Sequence, residues 1–252
     1  MKDEILQKLS HLPEKSRRVL TGFADRIYKA FGDQLYSMML FGSAAGGGFI
    51  EGKSDINTLI VLERVRVSDL EIIMEARQKY PPQAGKGLAL PLIFERGHVA
   101  SSLDTFPIEF SDMKQRHIAL YGADPLADAV IEKKNLRYQC ERELKSMLVN
   151  LRRGFLTTGG KRENIEALLE NSLSSVLAAG RGMIWMADRE PHDFIVDLLN
   201  DLREIYNADT SAIDRVWRLR KGHSGATAML EALFEDYINN IADLARVVDD
   251  KA

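Results

Sequence analysis

The chain has 252 residues, of which 45% are hydrophobic and 28% are charged, the balance of an ordinary folded protein. Its 34 Lys and Arg residues face 37 Asp and Glu residues, and the formal net charge of -3 excludes a protein whose main task is to coat nucleic acid or an acidic membrane. The single cysteine, Cys140, excludes an internal disulfide and a Cys-rich zinc module, and it fits a reducing compartment.

The first residues carry charges (Met1-Lys2-Asp3-Glu4) where a signal peptide would need an apolar stretch. No apolar run reaches the length of about 18 residues that a membrane span needs. These two observations predict a cytoplasmic protein with no membrane partner.

The N-terminal part, to about residue 31, has the apolar spacing of a helix. Pro13 lies near its start, where the missing amide donor costs least. The apolar residues that share one face are Val19, Leu20, Phe23, Ile27 and Phe31. We therefore predict one amphipathic helix before the first strand.

From about residue 34 to residue 121, short apolar runs are separated by Gly, Pro, Ser and Asp, a pattern typical of strands and turns. The predicted strands cover residues 35–41, 55–62, 88–94 and 107–110. A helix is predicted over residues 68–80, with Ser68 as its N-cap and Glu71 completing a capping box, and with Pro81 ending it. This alternation predicts an α/β or α+β domain.

After about residue 125 the strand signal almost disappears. Four stretches repeat apolar residues at helical spacing, and Gly159-Gly160 and Glu190-Pro191 separate them. Antiparallel helices around a shared core are the packing that this pattern favours. We therefore predict two domains, residues 1–124 with a mixed sheet and residues 125–252 as a helical bundle.

The segment from residue 40 to residue 57 is the most informative for function. A predicted strand ends at Gly42, and the chain then turns on small residues. Glycine lets backbone amides approach an anion closely, and the Ser43 hydroxyl adds a further donor. The residues Gly42 and Ser43 therefore predict a phosphate-binding turn.

The next predicted strand opens with Asp55 and Asn57, which are two residues apart and therefore project from the same face. Two oxygen-bearing side chains beside a phosphate site suit a hard cation such as Mg²⁺. Taken singly, glycine-rich turns and Asp or Asn before a strand mostly serve turn geometry. Their combination in this order favours the functional interpretation.

The residues Gly42-Ser43 and Ser54-Asp55-Ile56-Asn57 resemble the signature of the nucleotidyltransferase-fold superfamily, which includes polymerase beta and the aminoglycoside nucleotidyltransferases. That signature is Gly-Ser after a first strand and Ser-Asp-x-Asp opening the next. Asn57 departs from it, because the superfamily has a second Asp there. The resemblance covers about residues 20–122, and the C-terminal helices resemble only in kind the substrate-binding domain of the aminoglycoside enzymes.

The resemblance also implies a third carboxylate on a later strand. Glu109 alternates with apolar neighbours in residues 106–110 and is the assignment we favour. Asp112 is its nearest competitor and Glu95 a weaker one. On this basis Asp55, Asn57 and Glu109 are expected to bind Mg²⁺, as one ion or two.

What the resemblance implies for fold and function follows from these assignments. The fold class is α+β, a small mixed sheet with flanking helices followed by an all-α bundle. The activity is transfer of a nucleoside monophosphate from a nucleoside triphosphate, with ATP favoured, to a hydroxyl group of a small molecule or a protein. Asp55 and Glu109 are the expected catalytic residues, while Gly42 and Ser43 hold the leaving phosphates. The near-neutral charge argues against a nucleic-acid partner.

Two alternatives remain open from the sequence. The amide of Asn57 brings no negative charge, which favours an impaired enzyme or a regulatory protein that only binds nucleotide. Separately, Arg218 and His223, with four residues between them, resemble the Arg-x4-His motif of HEPN-type ribonucleases and suggest a component of a toxin–antitoxin system. Such a short pair is also typical of a solvated helix end, where cations favour the terminal carbonyls.

Overall fold

A computed structural model describes residues 2–46, 49–51, 54–81, 87–222 and 230–250. Within these residues the chain forms ten α-helices and four β-strands. It divides into two compact units, one of Met1–Leu103 with Asp112–Val130 and the other of Asp104–Ser111 with Ile131–Ala252. Each unit buries a hydrophobic core of its own.

The first unit contains one mixed sheet with the strand order β3-β2-β1-β4. Its strands are β1 (Leu35–Phe41), β2 (Asn57–Leu62), β3 (Leu92–Glu95) and β4 (His117–Gly122). The central strand β1 pairs antiparallel with β2 and with β4, whereas β2 and β3 are parallel. The predicted α+β fold with a mixed sheet and flanking helices is confirmed.

Helices flank the sheet of this unit. They are α1 (Lys2–Lys8), α2 (Glu14–Phe31), α3 (Val67–Gln78), α4 (Arg96–Ser101) and the end of α5 (Pro107–Gln115), within which the division into units falls. The spacing of apolar residues correctly predicts α2, whose Leu20, Phe23 and Ile27 are completely buried. These side chains share a core with Met38 and Leu40 of β1.

The helix α3 begins one residue earlier than its sequence pattern suggests. It starts at Val67, so that Ser68 already lies inside the first turn and cannot be the N-cap. The side chain of Asp69, rather than Glu71, accepts a hydrogen bond from the Arg66 amide at 2.8 Å. The predicted capping box is therefore wrong in its residues, although the helix itself is present.

The predicted strand over residues 107–110 is wrong, because this segment belongs to α5. Pro107 occupies the first helical position, where its fixed φ suits a helix and its missing amide costs little. The buried Ile108 and Phe110 are two residues apart, and a four-residue alternation of this kind does not distinguish a strand from a helix turn. The strand that completes the sheet is β4, which the sequence pattern did not predict.

The second unit is helical throughout its described residues, as predicted. Besides the start of α5 it contains α6 (Lys133–Thr157), α7 (Arg162–Met186), α8 (Ile195–Tyr206), α9 (Ser211–Arg220) and α10 (Leu230–Asp250). Apolar faces of these helices meet in one core, in which the buried hydroxyls of Ser172 and Tyr237 lie 3.0 Å apart. None of the helices described is both long and apolar enough to cross a membrane.

Candidate functional site

One edge of the sheet brings together the end of β1 and the beginnings of β2 and β4. Phe41, the last residue of β1, pairs directly with Asn57 of β2 on one side and with His117 of β4 on the other. Directly paired residues of antiparallel strands present their side chains on the same face. Asn57, Phe41 and His117 therefore form one row across three strands.

This row lies on the face of the sheet opposite to α2. Met38 and Leu40 point into the core that α2 covers, and strand alternation directs Phe41 to the other face. Ile56 is also buried in that core and bridges Leu88. Its two neighbours in the chain, Asp55 and Asn57, consequently project together on the opposite side.

The turn after β1 begins at Gly42, whose φ of 74° is a left-handed conformation that favours glycine. The amides of Ala45 and Gly46 both donate to the Gly42 carbonyl oxygen, at 2.9 and 3.1 Å. A Cβ atom on Gly42 would lie 3.4 Å from Asn57 Nδ2. The structure thus places the side chain of Asn57 directly beside the predicted phosphate-binding turn.

Contacts from distant parts of the chain hold this turn in place. The Gly42 amide donates to the carbonyl oxygen of Arg116 at 3.0 Å. The ring of His11 contacts the buried Ala44 through Nε2 and the carbonyl oxygen, which are 2.8 Å apart. Ser43 lies inside this turn, between Gly42 and the buried Ala44.

Glu109 lies on α5 instead of a strand, so the expectation that strand alternation orients it is wrong. The side chain is exposed and is held by the buried Gln139. The Gln139 amide donates to Glu109 Oε2 at 2.8 Å, while Gln139 Oε1 accepts a hydrogen bond from the Ile108 amide, also at 2.8 Å. Glu109 belongs to the second unit, whereas Asp55 and Asn57 belong to the first.

The two competing carboxylates have structural partners. Asp112 Oδ1 lies 3.5 Å from Arg116 Nη2, on the same helical turn. Glu95 accepts a hydrogen bond from the Val65 amide at 2.9 Å. It pairs with Leu62, the last residue of β2, and therefore lies at the end of the sheet remote from Asn57.

The chemistry of the donor set decides which metal arrangement the sheet edge fits. The carboxylate of Asp55 and the amide oxygen of Asn57 suit one hard cation, whose other ligands would be phosphate oxygens and water. Across the described residues, no three or more His, Cys, Asp or Glu side chains cluster closely enough to hold a metal ion. The stretch of chain beside Asn57 on the β3 side, Ala89-Leu90-Pro91, supplies no carboxylate. The edge of the first unit thus fits one Mg²⁺ better than two.

Two further residues, Arg116 and His117, lie at this edge of the sheet. His117 Nδ1 lies 2.8 Å from the Met113 carbonyl oxygen, and Nε2 lies 3.0 Å from Asp124 Oδ2. These contacts fix the ring at the start of β4, in the same row as Asn57. The signal in the sequence is weak, because both residues follow a segment whose helical character is not evident from its pattern.

The pair Arg218 and His223 is only partly visible. Arg218 lies near the end of α9, is exposed, and forms an ion pair of 2.8 Å with Asp214 one turn earlier. His223 lies outside the residues that the structure describes. What is described of Arg218 matches a solvated helix end.

Comparisons with known proteins complete the description. The sequence matches no protein-family model and no curated protein. Among solved structures, the chain is similar to the spectinomycin adenyltransferase AAD(9) from Enterococcus faecialis, whose crystal structure contains ATP and spectinomycin. The TM-score is 0.57 at 11% sequence identity, over 89% of this chain and 98% of that chain. At this identity the likeness shows the fold alone: the chain has a nucleotidyltransferase-like α+β fold.

Proposed function

We propose that the chain binds a nucleoside triphosphate at the sheet edge of its first unit and transfers a nucleoside monophosphate to a hydroxyl group. The observation that carries this proposal is the contact between Asn57 and the Gly42 turn, with Asp55 on the same face as Asn57. A turn that contains Gly42 and Ser43, beside two oxygen-bearing side chains, suits a triphosphate with its Mg²⁺. The similar adenyltransferase was solved with ATP, which supports ATP as the nucleotide.

Each residue has a stated part in this reaction. The Ser43 amide and hydroxyl hold the β- and γ-phosphates, which leave as pyrophosphate. Asp55 and Asn57 would hold Mg²⁺, and a bound ion would supply charge neutralisation for the phosphates and lower the pKa of an acceptor hydroxyl. The sequence resemblance makes Glu109 our candidate for the general base that accepts the proton of that hydroxyl, and Gln139 fixes its orientation by donating to Oε2. The acceptor is a small molecule or a protein.

Titration of ATP in the presence of Mg²⁺ tests the proposed site. The Asp55→Ala variant removes the carboxylate that we propose binds Mg²⁺ and is expected to lose at least about tenfold in affinity for ATP–Mg²⁺. Asp128→Ala, at an exposed position of the same unit, is the matched control and is expected to bind like the wild type. Equal binding by the wild type and Asp55→Ala would refute the site.

A second function, nucleotide binding without transfer, is favoured by the same sheet edge. Asn57 is neutral, and Ala89-Leu90-Pro91 offers no carboxylate next to it. Two-metal catalysis needs enough negative charge to hold a second divalent ion. Pyrophosphate release from ATP, measured with a panel of hydroxyl compounds that begins with spectinomycin, separates the two functions. If the chain is an enzyme, the wild-type protein releases pyrophosphate. If it only binds nucleotide, the wild-type protein binds ATP but releases no pyrophosphate.

A further inference from the structure

We infer that Arg116 is a positioning residue for the turn formed by residues 42–46, which it holds in the shape that receives phosphate. This inference rests on the proposed function, because it assumes that the turn binds phosphate. Arg116 contacts the turn at both of its ends, through Gly42 and through Gly46.

The backbone of Arg116 connects the end of α5 to the turn. Its amide donates to the Asp112 carbonyl oxygen at 3.1 Å, and its own carbonyl oxygen accepts the Gly42 amide at 3.0 Å. Arg116 lies between α5, which ends at Gln115, and β4, which begins at His117. The backbone of this one residue therefore fixes the first residue of the turn relative to both a helix and a strand.

The side chain of Arg116 packs against the other end of the turn. A Cβ atom on Gly46 would lie 2.6 Å from Arg116 Cδ and 3.1 Å from Cγ, so any larger residue would displace the arginine. Gly46 is not among the glycines with positive φ. The reason for glycine at this position is therefore the room that the Arg116 side chain needs, and not the backbone conformation.

An ion pair anchors the side chain in this position. Only 11% of the Arg116 side chain is exposed, and its Nη2 atom lies 3.5 Å from Asp112 Oδ1. Burial of a guanidinium group is costly unless a partner compensates for its lost hydration. The ion pair with Asp112 compensates for this loss of hydration. The guanidinium group is bonded to Cδ, the atom that packs against Gly46. The arginine is thus held at both ends, by Asp112 and by the turn.

A double-mutant cycle tests the contact. Gly46→Ala inserts a methyl group against the Arg116 side chain, and Arg116→Ala removes the atoms that it would strike. Each single variant is expected to lose about tenfold in affinity for ATP–Mg²⁺, and the double variant to lose no more than Arg116→Ala, because the two changes act on one contact. Gly97→Ala is the matched control, since a Cβ there meets no atom within 4 Å.

Titrations with ATP, ADP, AMP and adenosine distinguish positioning of a phosphate site from a merely structural role. The loss caused by Gly46→Ala and Arg116→Ala is expected to shrink as phosphates are removed and to vanish for adenosine. Arg116→Lys keeps the side chain as far as Cδ and is expected to retain most of the affinity. If Arg116→Ala does not fold, the comparison of Arg116→Lys with the wild type still tests the inference.

Two results would overturn the inference. Additive losses in the cycle would show that Gly46 and Arg116 act independently, and equal losses for ATP and adenosine would show a general effect on folding. Failure of the proposed function has a different signature, because wild-type protein would then bind ATP no more tightly than adenosine.

Discussion

Asn57 Nδ2 lies 3.4 Å from the point at which Gly42 would carry a Cβ, so the Asn57 side chain and the predicted phosphate turn are neighbours. The two residues are brought together by the pairing of Asn57 with Phe41, the residue before Gly42. Any change at Gly42 therefore acts on the backbone of the turn and on Asn57 at once.

Gly42→Ala is expected to lower both the stability of the first unit and its affinity for nucleotide. A residue with a Cβ at a φ of 74° costs about 1–2 kcal/mol of folding free energy, and the methyl group would lie 3.4 Å from Asn57 Nδ2, where it narrows the space beside the turn. Gly32→Ala is the matched control, because Gly32 has a φ of 50° but no atom within 4 Å of its missing Cβ. Denaturant unfolding should show a similar loss for both variants, and ATP titration a loss for Gly42→Ala alone. A Gly42→Ala variant with unchanged ATP affinity would contradict the site.

Gln139→Leu is expected to destabilise the second unit and to slow transfer. The variant leaves the Ile108 amide without its acceptor and Glu109 Oε2 without its donor, and an unsatisfied buried polar group costs about 1–3 kcal/mol. Thermal unfolding measures the first effect. The rate of pyrophosphate release, compared with that of Glu109→Gln, measures the second. Gln78→Leu, at an exposed end of α3, is the control, and a normal transfer rate in Gln139→Leu would remove Gln139 from the proposed mechanism.

Cys140 is expected to be inert toward thiol reagents in the folded protein. Its side chain is fully buried, and this burial raises the pKa of the thiol to about 12. Because the thiolate is the reactive form, iodoacetamide at about pH 8 should leave the native chain unmodified and label it once in denaturant. Stoichiometric labelling of the native chain would show that the packing around Cys140 is looser than described.

His192 is expected to make stability depend on pH. Its ring lies 2.7 Å from Asp201, and the hydrogen bond and charge of that carboxylate raise the pKa of His192 above its ordinary value of 6.5. A raised pKa in the folded state contributes stability that is present below the unfolded pKa and is lost as pH rises through the folded pKa. Wild type should therefore exceed His192→Gln in stability under acidic conditions and lose that advantage under alkaline ones. NMR titration of the imidazole measures the pKa directly, and Asp201→Asn should return it toward 6.5.

The sequence predicts those parts of the fold that depend on local periodicity. The helix α2 and the strands β1 and β2 show their buried residues in the spacing of apolar side chains. The small residues that follow β1 indicate that the chain turns at Gly42. Within the site, the neighbourhood of Gly42, Asp55 and Asn57 is predictable because all three lie within one strand-turn-strand segment.

The remaining parts depend on contacts between distant residues. The alternation around Glu109 is too short to distinguish a strand from a helix, and β4 acquires its character from pairing with β1, far from it in sequence. Arg116 is adjacent to Gly46 only after that pairing forms. A local pattern carries no information about such a contact, so the position of Arg116 against Gly46 could not be predicted from the sequence.

The most direct test of the central claim is a crystal structure of the full chain with Mg²⁺ and a non-hydrolysable ATP analogue. The account predicts the phosphates against the Gly42–Ser43 turn, with the cation between them and the side chains of Asp55 and Asn57. A nucleotide bound elsewhere, with no phosphate at this turn, would contradict it.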